Sequence, residues 1–483
     1  MPKVGLVSLG CPKNLVDSEV MLGMLSRAGF ELTPTASEAE IILVNTCSFI
    51  GPAKQESIDT ILEMAEYKKA GTAKRLVVAG CLVERYRQQI LAEMPEVDAV
   101  LGTNEIERVV EACRIEESRR ENQESAGPYL YHEFTPRVLT TPSYSAYIKI
   151  SEGCDHICSF CVIPQMRGRF RSRRFESVMH EAENLVAHGA RELILVGQDN
   201  TSYGEDLGLR HGLATLLGEL AKIPDLVWLR FLYCYPNRVT DALIETVAES
   251  PKVAKYFDIP FQHASGRILK AMRRGSNGEQ FLKLIEKIRQ AIPDVTLRTS
   301  VIVGFPGETE EDFKMLMDFV CAAEFDHLGV FRYSNEETSA SFGLPHQVAP
   351  RIAYNRRRKL LALQRKISRR KLKALIGKRL PVLVEGRSQE TDLLLQGRLE
   401  SQAPEVDGKV LINDFEGSEP RAGEYRWAVM TGASDYDLVA RLEGNYFADR
   451  HPTSLKTADR PKLVEIQPAT AESYGNTLPH LQA

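Results

Sequence analysis

The chain has 483 residues, a formal net charge of -4 and 43% hydrophobic residues, the balance of a folded globular protein with roughly two to four domains. Near-neutral charge argues against a dedicated nucleic-acid binder, and no apolar run approaches the roughly 20 residues that a bilayer span requires. Nine cysteines in so long a chain are too sparse for a secreted disulfide scaffold, and the opening Met-Pro-Lys-Val-Gly-Leu-Val lacks a signal-peptide layout, so a reducing, cytoplasmic setting is expected.

Residues 3 to 9, Lys-Val-Gly-Leu-Val-Ser-Leu, read as a strand ending at Gly10-Cys11, followed by a helix from Asp17 to Ala28. A second apolar strand, Ile41 to Val44, ends in Asn45-Thr46-Cys47, and a third, Arg75 to Ala79, ends in Gly80-Cys81. This alternation predicts a parallel sheet, whose strand carboxyl ends share the edge where ligands bind. The cysteines are 36 and 34 residues apart, each about one β-α-β repeat, so successive strands deliver one thiolate apiece to that edge. A single cysteine at a strand end is ordinarily packing; three at equivalent ends are expected to ligate an iron-sulfur cluster. Cys113, in the helical stretch Asn104 to Glu117, falls outside this register and reads as structural. The charged, then Gly- and Pro-containing stretch from Glu116 to Pro142 reads as a linker closing an N-terminal α/β domain, residues 1–135.

From Ala146 the alternation resumes. Strands are expected at 146–150, 191–196, 226–233, 256–259, 295–303 and 327–333, with helices such as 176–188 and 281–291 between them. Six β-α units are too few to close an eight-stranded barrel, so residues 140–375 predict an open, partial (β/α)6 TIM-like barrel with its site at the C-terminal strand ends. After the first strand, Gly153-Cys154-Asp155-His156-Ile157-Cys158-Ser159-Phe160-Cys161 sets Cys154, Cys158 and Cys161 in C-x3-C-x2-C spacing. Three thiolates serve three irons of a four-iron cluster and leave the last open to a substrate or cofactor. Structural zinc asks for four ligands, and His156 sits at a poor spacing to be the missing one. Later strand ends carry Gln198-Asp199, Gln262-His263 and Gly304-Phe305-Pro306-Gly307-Glu308. The glycines are equally readable as turn formers, and His263 as a core histidine. Cys234 and Cys321, without cysteine partners at ligand spacing, read as packing residues.

Residues 351–379 form a helix-compatible arm with 13 Lys or Arg and no Asp or Glu. Such a run calls for a neighbouring acidic surface or an anionic partner, of which RNA is one. Short strands at 380–385, 393–399, 409–412, 425–431 and 438–442 predict a small antiparallel β-barrel of OB type, residues 376–443. Between Pro381 and Glu443 it carries 13 acidic and six basic residues, a difference of -7, unlike the positive groove of a barrel that tracks nucleic acid. Residues 444–483 lack periodicity and read as a disordered tail.

The Cys154 loop resembles the radical S-adenosylmethionine (radical SAM) superfamily, whose C-x3-C-x-aromatic-C motif it matches with Phe160 in the aromatic place. The resemblance implies that S-adenosylmethionine binds the open iron and is split there to give a radical, with Gln198, Asp199, Gln262, His263, Gly304, Gly307 and Glu308 around it. Gln198-Asp199 departs from the superfamily's frequent Gly-Gly-Glu. Together with the three N-terminal cysteines and a terminal barrel similar to the TRAM domain, residues 1 to about 443 resemble the methylthiotransferases. Ser8-Leu9-Gly10-Cys11-Pro12-Lys13-Asn14-Leu15-Val16-Asp17-Ser18-Glu19 is similar to the RimO branch, which modifies an aspartate of ribosomal protein S-twelve; the tRNA-modifying MiaB branch typically has Gln-Met in place of Pro12-Lys13. Pro260-Phe261-Gln262-His263-Ala264-Ser265 also resembles the RimO branch, with Phe261 in place of the more usual Leu.

That resemblance implies methylthiolation of an aspartyl β-carbon by two 4Fe-4S clusters, one on Cys154, Cys158 and Cys161 and one on Cys11, Cys47 and Cys81. S-adenosylmethionine would be both radical source and methyl donor, with an electron donor and a sulfur donor also required. The implied partner is ribosomal protein S-twelve, free or in the small subunit, with rRNA within reach of the basic arm. The two cysteine sets must then face each other, the N-terminal sheet edge packing over the barrel mouth and excluding water. The alternatives are a MiaB-like tRNA methylthiotransferase and a redox or cluster carrier without substrate chemistry.

Overall fold

The computed structural model describes residues 1–115 and 127–447. The charged start of the expected linker and nearly all of the expected tail lie outside the described residues.

The N-terminal sheet is parallel throughout. It comprises β1 (Lys3–Ser8), β2 (Glu31–Leu32), β3 (Ile41–Thr46), β4 (Arg75–Gly80) and β5 (Ala99–Leu101) in the order β2-β1-β3-β4-β5. Every residue of β3 and β4 is buried, as expected of a sheet covered on both faces. Helix α1 (Pro12–Arg27) covers one face with Val16, Val20 and Met21. Helices α2 (Gly51–Lys69) and α3 (Cys81–Glu93) cover the other, α2 with Ile61 and Met64 and α3 with Leu82 and Val83. Ser8 pairs with Asn45 and Asn45 with Ala79, so the carboxyl ends of β1, β3 and β4 stand level. The helix expected from Asn104 to Glu117 shrinks to a 3-10 turn, Ile106–Arg108, and α4 (Val109–Ala112). Its buried apolar residues stop at Cys113, and Ile115 beyond it is exposed, so the described stretch offers no further face to bury.

In the central domain β6 (Ser145–Lys149) leads to a short antiparallel pair, β7 (Ser151–Glu152) and β8 (Arg171–Ser172), that brackets the cysteine loop and α5 (Ile163–Arg167). Then follow β9 (Glu192–Val196), β10 (Trp228–Phe231), β11 (Tyr256–Asp258), β12 (Thr296–Val303) and β13 (His327–Arg332). The six expected strands stand parallel and in chain order, in two three-stranded halves, β6-β9-β10 and β11-β12-β13, joined through the bridge Leu229–Val253. The wall stays open between β6 and β13.

The basic arm is a helix, Pro350–Lys373, that lays Ala353, Leu360 and Ile367 on this wall. Neighbouring acids answer part of its charge: Arg356 pairs with Glu308 and Glu310, Arg370 with Glu324, and Lys371 with Asp326.

The last domain closes β14 (Arg379–Arg387), β15 (Leu395–Leu399), β16 (Val410–Phe415), β17 (Tyr425–Ala433) and β18 (Leu438–Asn445) into a barrel in the order β14-β15-β16-β18-β17. It is antiparallel except for β16 and β18, which run parallel because the β17–β18 hairpin returns beside β16. The barrel is seated on the central domain. Arg398 donates to Glu192 at 2.7 Å and to Glu385 at 2.6 Å, and Trp228 meets Tyr425 edge-on at 4.8 Å. Among the described residues no helix is long and apolar enough to cross a membrane.

Candidate active site

Each N-terminal cysteine sits where a strand hands over to a helix. Cys11 caps α1, Cys47 follows β3, and Cys81 opens α3. Gly10 and Gly80 take φ of +91° and +94°, and the space of a side chain at each is taken. A Cβ on Gly10 would lie 2.7 Å from that of Cys47, and one on Gly80 would lie 2.6 Å from the Thr46 carbonyl. The strand ends are stitched together by Asn14, whose Nδ2 donates to the Leu9 carbonyl at 2.6 Å, and by Asn45, whose Nδ2 donates to the Asn14 carbonyl at 2.9 Å. Burial pushes the Cys47 thiol up to about 12, helped by Cys81 and Cys11 beside it, and burial raises Cys81 as well. Helix N-termini favour thiolates, but here desolvation wins in the metal-free state. Metal binding at this edge must displace protons.

The central set lies in one loop. Gly153, with φ of +78°, lies so close to the Arg169 carbonyl that no Cβ fits. The Cys154 N–H donates to the Gly168 carbonyl at 3.2 Å, and Ser159 is tied to the Met272 and Ala271 carbonyls at 3.0 and 2.8 Å. Cys154, Cys158 and Cys161 line a cavity of about 440 Å³, together with Gln165, Arg273 and Thr338. Two donors approach the sulfurs from behind: the Ile163 N–H lies 3.5 Å from Cys161 Sγ, and Arg274 Nη1 lies 3.6 Å from Cys158 Sγ. Such contacts stabilise anionic sulfur and are among the levers that tune a cluster. Burial raises Cys154 to about 11 and Cys161 to about 12. Among the described residues no three His, Cys, Asp or Glu side chains converge as the ligands of a single ion would. A four-iron cluster asks for less convergence, because each thiolate binds a different iron.

The two sets meet. Helix α5, which leaves Cys161, packs Val162 and Met166 on Cys81, and Thr103 Oγ1 donates to the Met166 carbonyl at 2.6 Å. Between them lies a buried ionic cluster that joins the domains. Lys149 pairs with Asp17 and Glu152, and Arg167 pairs with the same two carboxylates and donates to Asn14 Oδ1 at 3.0 Å. Burial acts against the Glu152 charge, but Lys149 and Arg167 hold its carboxyl down at about 2. Sequence reasoning missed Lys13, Asn14, Asp17, Lys149, Glu152, Arg167 and Tyr233 as parts of the site. The legible signal was Lys149, a charge in an otherwise apolar strand.

Of the other expected residues, Gln198 and Asp199 lie beside the central loop. Gln198 Nε2 donates to Glu152 at 2.8 Å, leaving its Oε1 buried without a partner. Asp199 accepts from Ser202 Oγ at 2.7 Å and meets His156 Nε2 at 2.6 Å. Burial raises Asp199, yet hydrogen bonds from His156, Thr201 and Ser202 outweigh it and keep the carboxyl below its usual range. His156 also stacks on Tyr235 at 3.7 Å.

Gln262, His263, Gly304, Gly307 and Glu308 form a separate group against the basic helix. Gln262 takes φ of +68°. His263 Nδ1 accepts from the Ser265 N–H at 3.0 Å, while its Nε2 lies 3.8 Å from Glu308. Glu308 accepts from the Gly304 N–H and faces Arg356, and a Cβ on Gly304 would meet that of Ala353 at 2.6 Å. Cys113 and Cys234 are buried, as packing residues are. Cys321 is exposed, which corrects its reading as packing. Helix Glu310–Ala323 buries Leu316, Phe319, Val320 and Ala323, and position 321 falls on its solvent side.

Comparison with known proteins agrees with this layout. Residues 3–102 match a family described as uncharacterized protein family UPF0004, residues 148–320 the radical SAM superfamily, and residues 376–442 the TRAM domain. Among solved structures, the radical S-adenosylmethionine methyltransferase TsrM from Kitasatospora setae superposes over 70% of this chain and 77% of its own, at 17% identity and a TM-score of 0.52, a likeness of fold. The ribosomal protein uS12 methylthiotransferase RimO of Solibacter usitatus is 59% identical over 97% of this chain and 100% of its own length. That of Koribacter versatilis is 54% identical over 91% and 96%, and that of Geobacter sulfurreducens 49% over 91% and 98%. Likeness at this level over the whole described chain, with both cysteine sets and the terminal barrel in place, shows that the chain belongs to the RimO family of radical SAM methylthiotransferases.

Proposed function

We propose that this protein methylthiolates the β-carbon of an aspartate in ribosomal protein uS12, in the cytoplasm, with one 4Fe-4S cluster on Cys154, Cys158 and Cys161 and a second on Cys11, Cys47 and Cys81. The observation that carries the reading is the packing of Cys81 against Val162 and Met166, which brings one cysteine group to the helix that leaves the other. When bound, the clusters and S-adenosylmethionine supply the radical chemistry and the sulfur that an unactivated C–H bond requires. The chain's own residues position and exclude. Gln198, oriented by Glu152, keeps a buried, unpartnered Oε1 that would accept from an ammonium group such as that of the methionine moiety. His156 and Asp199 brace the loop, and Gln262, His263, Gly304, Gly307 and Glu308 shape the wall on the adenosyl side. The contacts of Ser48 Oγ with Met166 Sδ at 3.3 Å and of Arg85 with Glu336 at 2.9 Å tie the N-terminal domain to the central one, helping to keep water from a reactive centre.

The acidic excess of the terminal barrel favours a basic ribosomal protein over tRNA, and the unanswered charges of the basic helix leave room for rRNA contact. The test is anaerobic turnover of the full-length, reconstituted protein with S-adenosylmethionine, a sulfur source and an electron donor, offered uS12 or tRNA. A mass gain of one methylthio group on a uS12 aspartate is expected; methylthioadenosine on tRNA with unmodified uS12 would transfer the function to the tRNA class.

A further inference from the structure

The charges packed between the two cysteine sets do not balance. Three cations, Lys13, Lys149 and Arg167, are buried there with two carboxylates, Asp17 and Glu152. Lys149 and Arg167 share both carboxylates, so those charges cancel and Lys13 is the surplus. Among the described residues no carboxylate lies within ion-pair distance of Lys13. Its ammonium sits instead 3.5 Å from the centroid of the Tyr233 ring.

Lys13 is only 9% exposed, and an ammonium buried without an anion is costly. The site is built to hold the charge. Tyr233 takes φ of +59°, a backbone that a tyrosine adopts at a cost, and its ring comes to lie under the ammonium. A ring face attracts a cation without neutralising it, so the full charge stays available. Arg167 is the neighbour of Met166, which packs on Cys81.

We propose that Lys13, steadied by Tyr233 and seconded by Arg167, is the counter-ion for a small sulfur anion, hydrosulfide or methanethiolate, held at the metal position that Cys11, Cys47 and Cys81 leave free. This rests on the assignment of those cysteines as cluster ligands. Asp17 and Glu152 occupy Lys149 and Arg167 and leave Lys13 uncommitted. Lys13, two residues after Cys11, is thus a positioning residue, and a fixed buried cation beside the site also favours its reduced state, since net charge is one of the determinants of a cluster's potential.

The test uses the full-length chain with Cys154, Cys158 and Cys161 changed to Ala, reconstituted with iron and sulfide so that only the N-terminal site carries metal. Methanethiolate binding is followed by its effect on the reduced EPR signal, and the midpoint potential by redox titration. Lys13→Met is expected to keep its iron, bind methanethiolate about tenfold more weakly or worse, and titrate at a more negative potential; Lys13→Arg restores both toward the parent. Should Lys13→Met lose iron, Tyr233→Leu gives the same readouts with the lysine in place, and smaller shifts in the same directions are expected. Unchanged affinity and potential in Lys13→Met, or in Tyr233→Leu where the first variant is iron-free, overturns the proposal. A parent protein that holds no iron contradicts the ligand assignment, a separate failure that takes the proposal with it.

Discussion

Cys154, Cys158 and Cys161 come from one loop held by its own backbone bonds and by Ser159, whereas Cys11, Cys47 and Cys81 come from three strands and meet only because β1, β3 and β4 are neighbours in register. The first set opens onto a cavity; the second lies at a domain junction where Lys13 and Arg167 are buried. The contrast teaches that the two sites depend on different links of the fold. The loop site needs local geometry, and the sheet-edge site needs the whole N-terminal domain and its seat on the barrel.

Changing each set to Ala gives the largest effect and separates the roles. Loss of Cys154, Cys158 and Cys161 is expected to abolish S-adenosylmethionine cleavage, whereas loss of Cys11, Cys47 and Cys81 spares cleavage and stops sulfur insertion, as product analysis will show. Cleavage lost equally in both would erase the distinction. Next in size, Asp17→Ala leaves Lys149 and Arg167 with one carboxylate and is expected to cost about 3–5 kcal/mol in denaturant titration, felt at the junction between the sets.

Acid acts on the same junction. Glu152 is held at about 2, below its ordinary 4.5, by Lys149 and Arg167 against the effect of burial. A depressed carboxylate contributes stability that is complete above its unfolded pKa and is lost as pH falls through the folded one. The junction should therefore weaken between about pH 4.5 and 2. Hydrogen exchange at α5 compared with the terminal barrel will show it, and a loss confined to pH above 5 would contradict the assignment.

Smaller effects follow from the glycines before the cysteines. Gly80→Ala and Gly153→Ala force an alanine into left-handed backbone with no space for its Cβ, costing about 1–3 kcal/mol from the backbone alone. Iron retention after Gly153→Ala should fall at the central site only. Smallest of all, Cys321→Ser on the exposed side of its helix should change stability by less than about 0.5 kcal/mol, while Cys234→Ala, from a filled core, costs about 1–3 kcal/mol and keeps both clusters.

What the sequence made legible follows from the same contrast. The loop set could be read from spacing alone, because its ligands share one short segment. The sheet-edge set could be read because its separations match a β-α-β repeat, and the strand order then places β1, β3 and β4 side by side. The ionic cluster could not be read: Asp17 and Lys149 are distant in sequence, and whether a charge is buried depends on how two domains dock. The parallel β16–β18 pair was hidden for a related reason, since alternation shows which residues face inward but not which strand lies beside which. Cys321 was misread because a cysteine in an amphipathic helix was assumed to lie on the apolar face, and its phase puts it on the other.

The central claim is that two clusters face each other across α5. Iron assay and EPR of the anaerobically reconstituted wild-type chain test it together. About eight irons per chain, four for each cluster, and a reduced spectrum broadened by magnetic coupling relative to the sum of the two triple-Ala variants is the result expected. About four irons, or a wild-type spectrum equal to that sum, would contradict it.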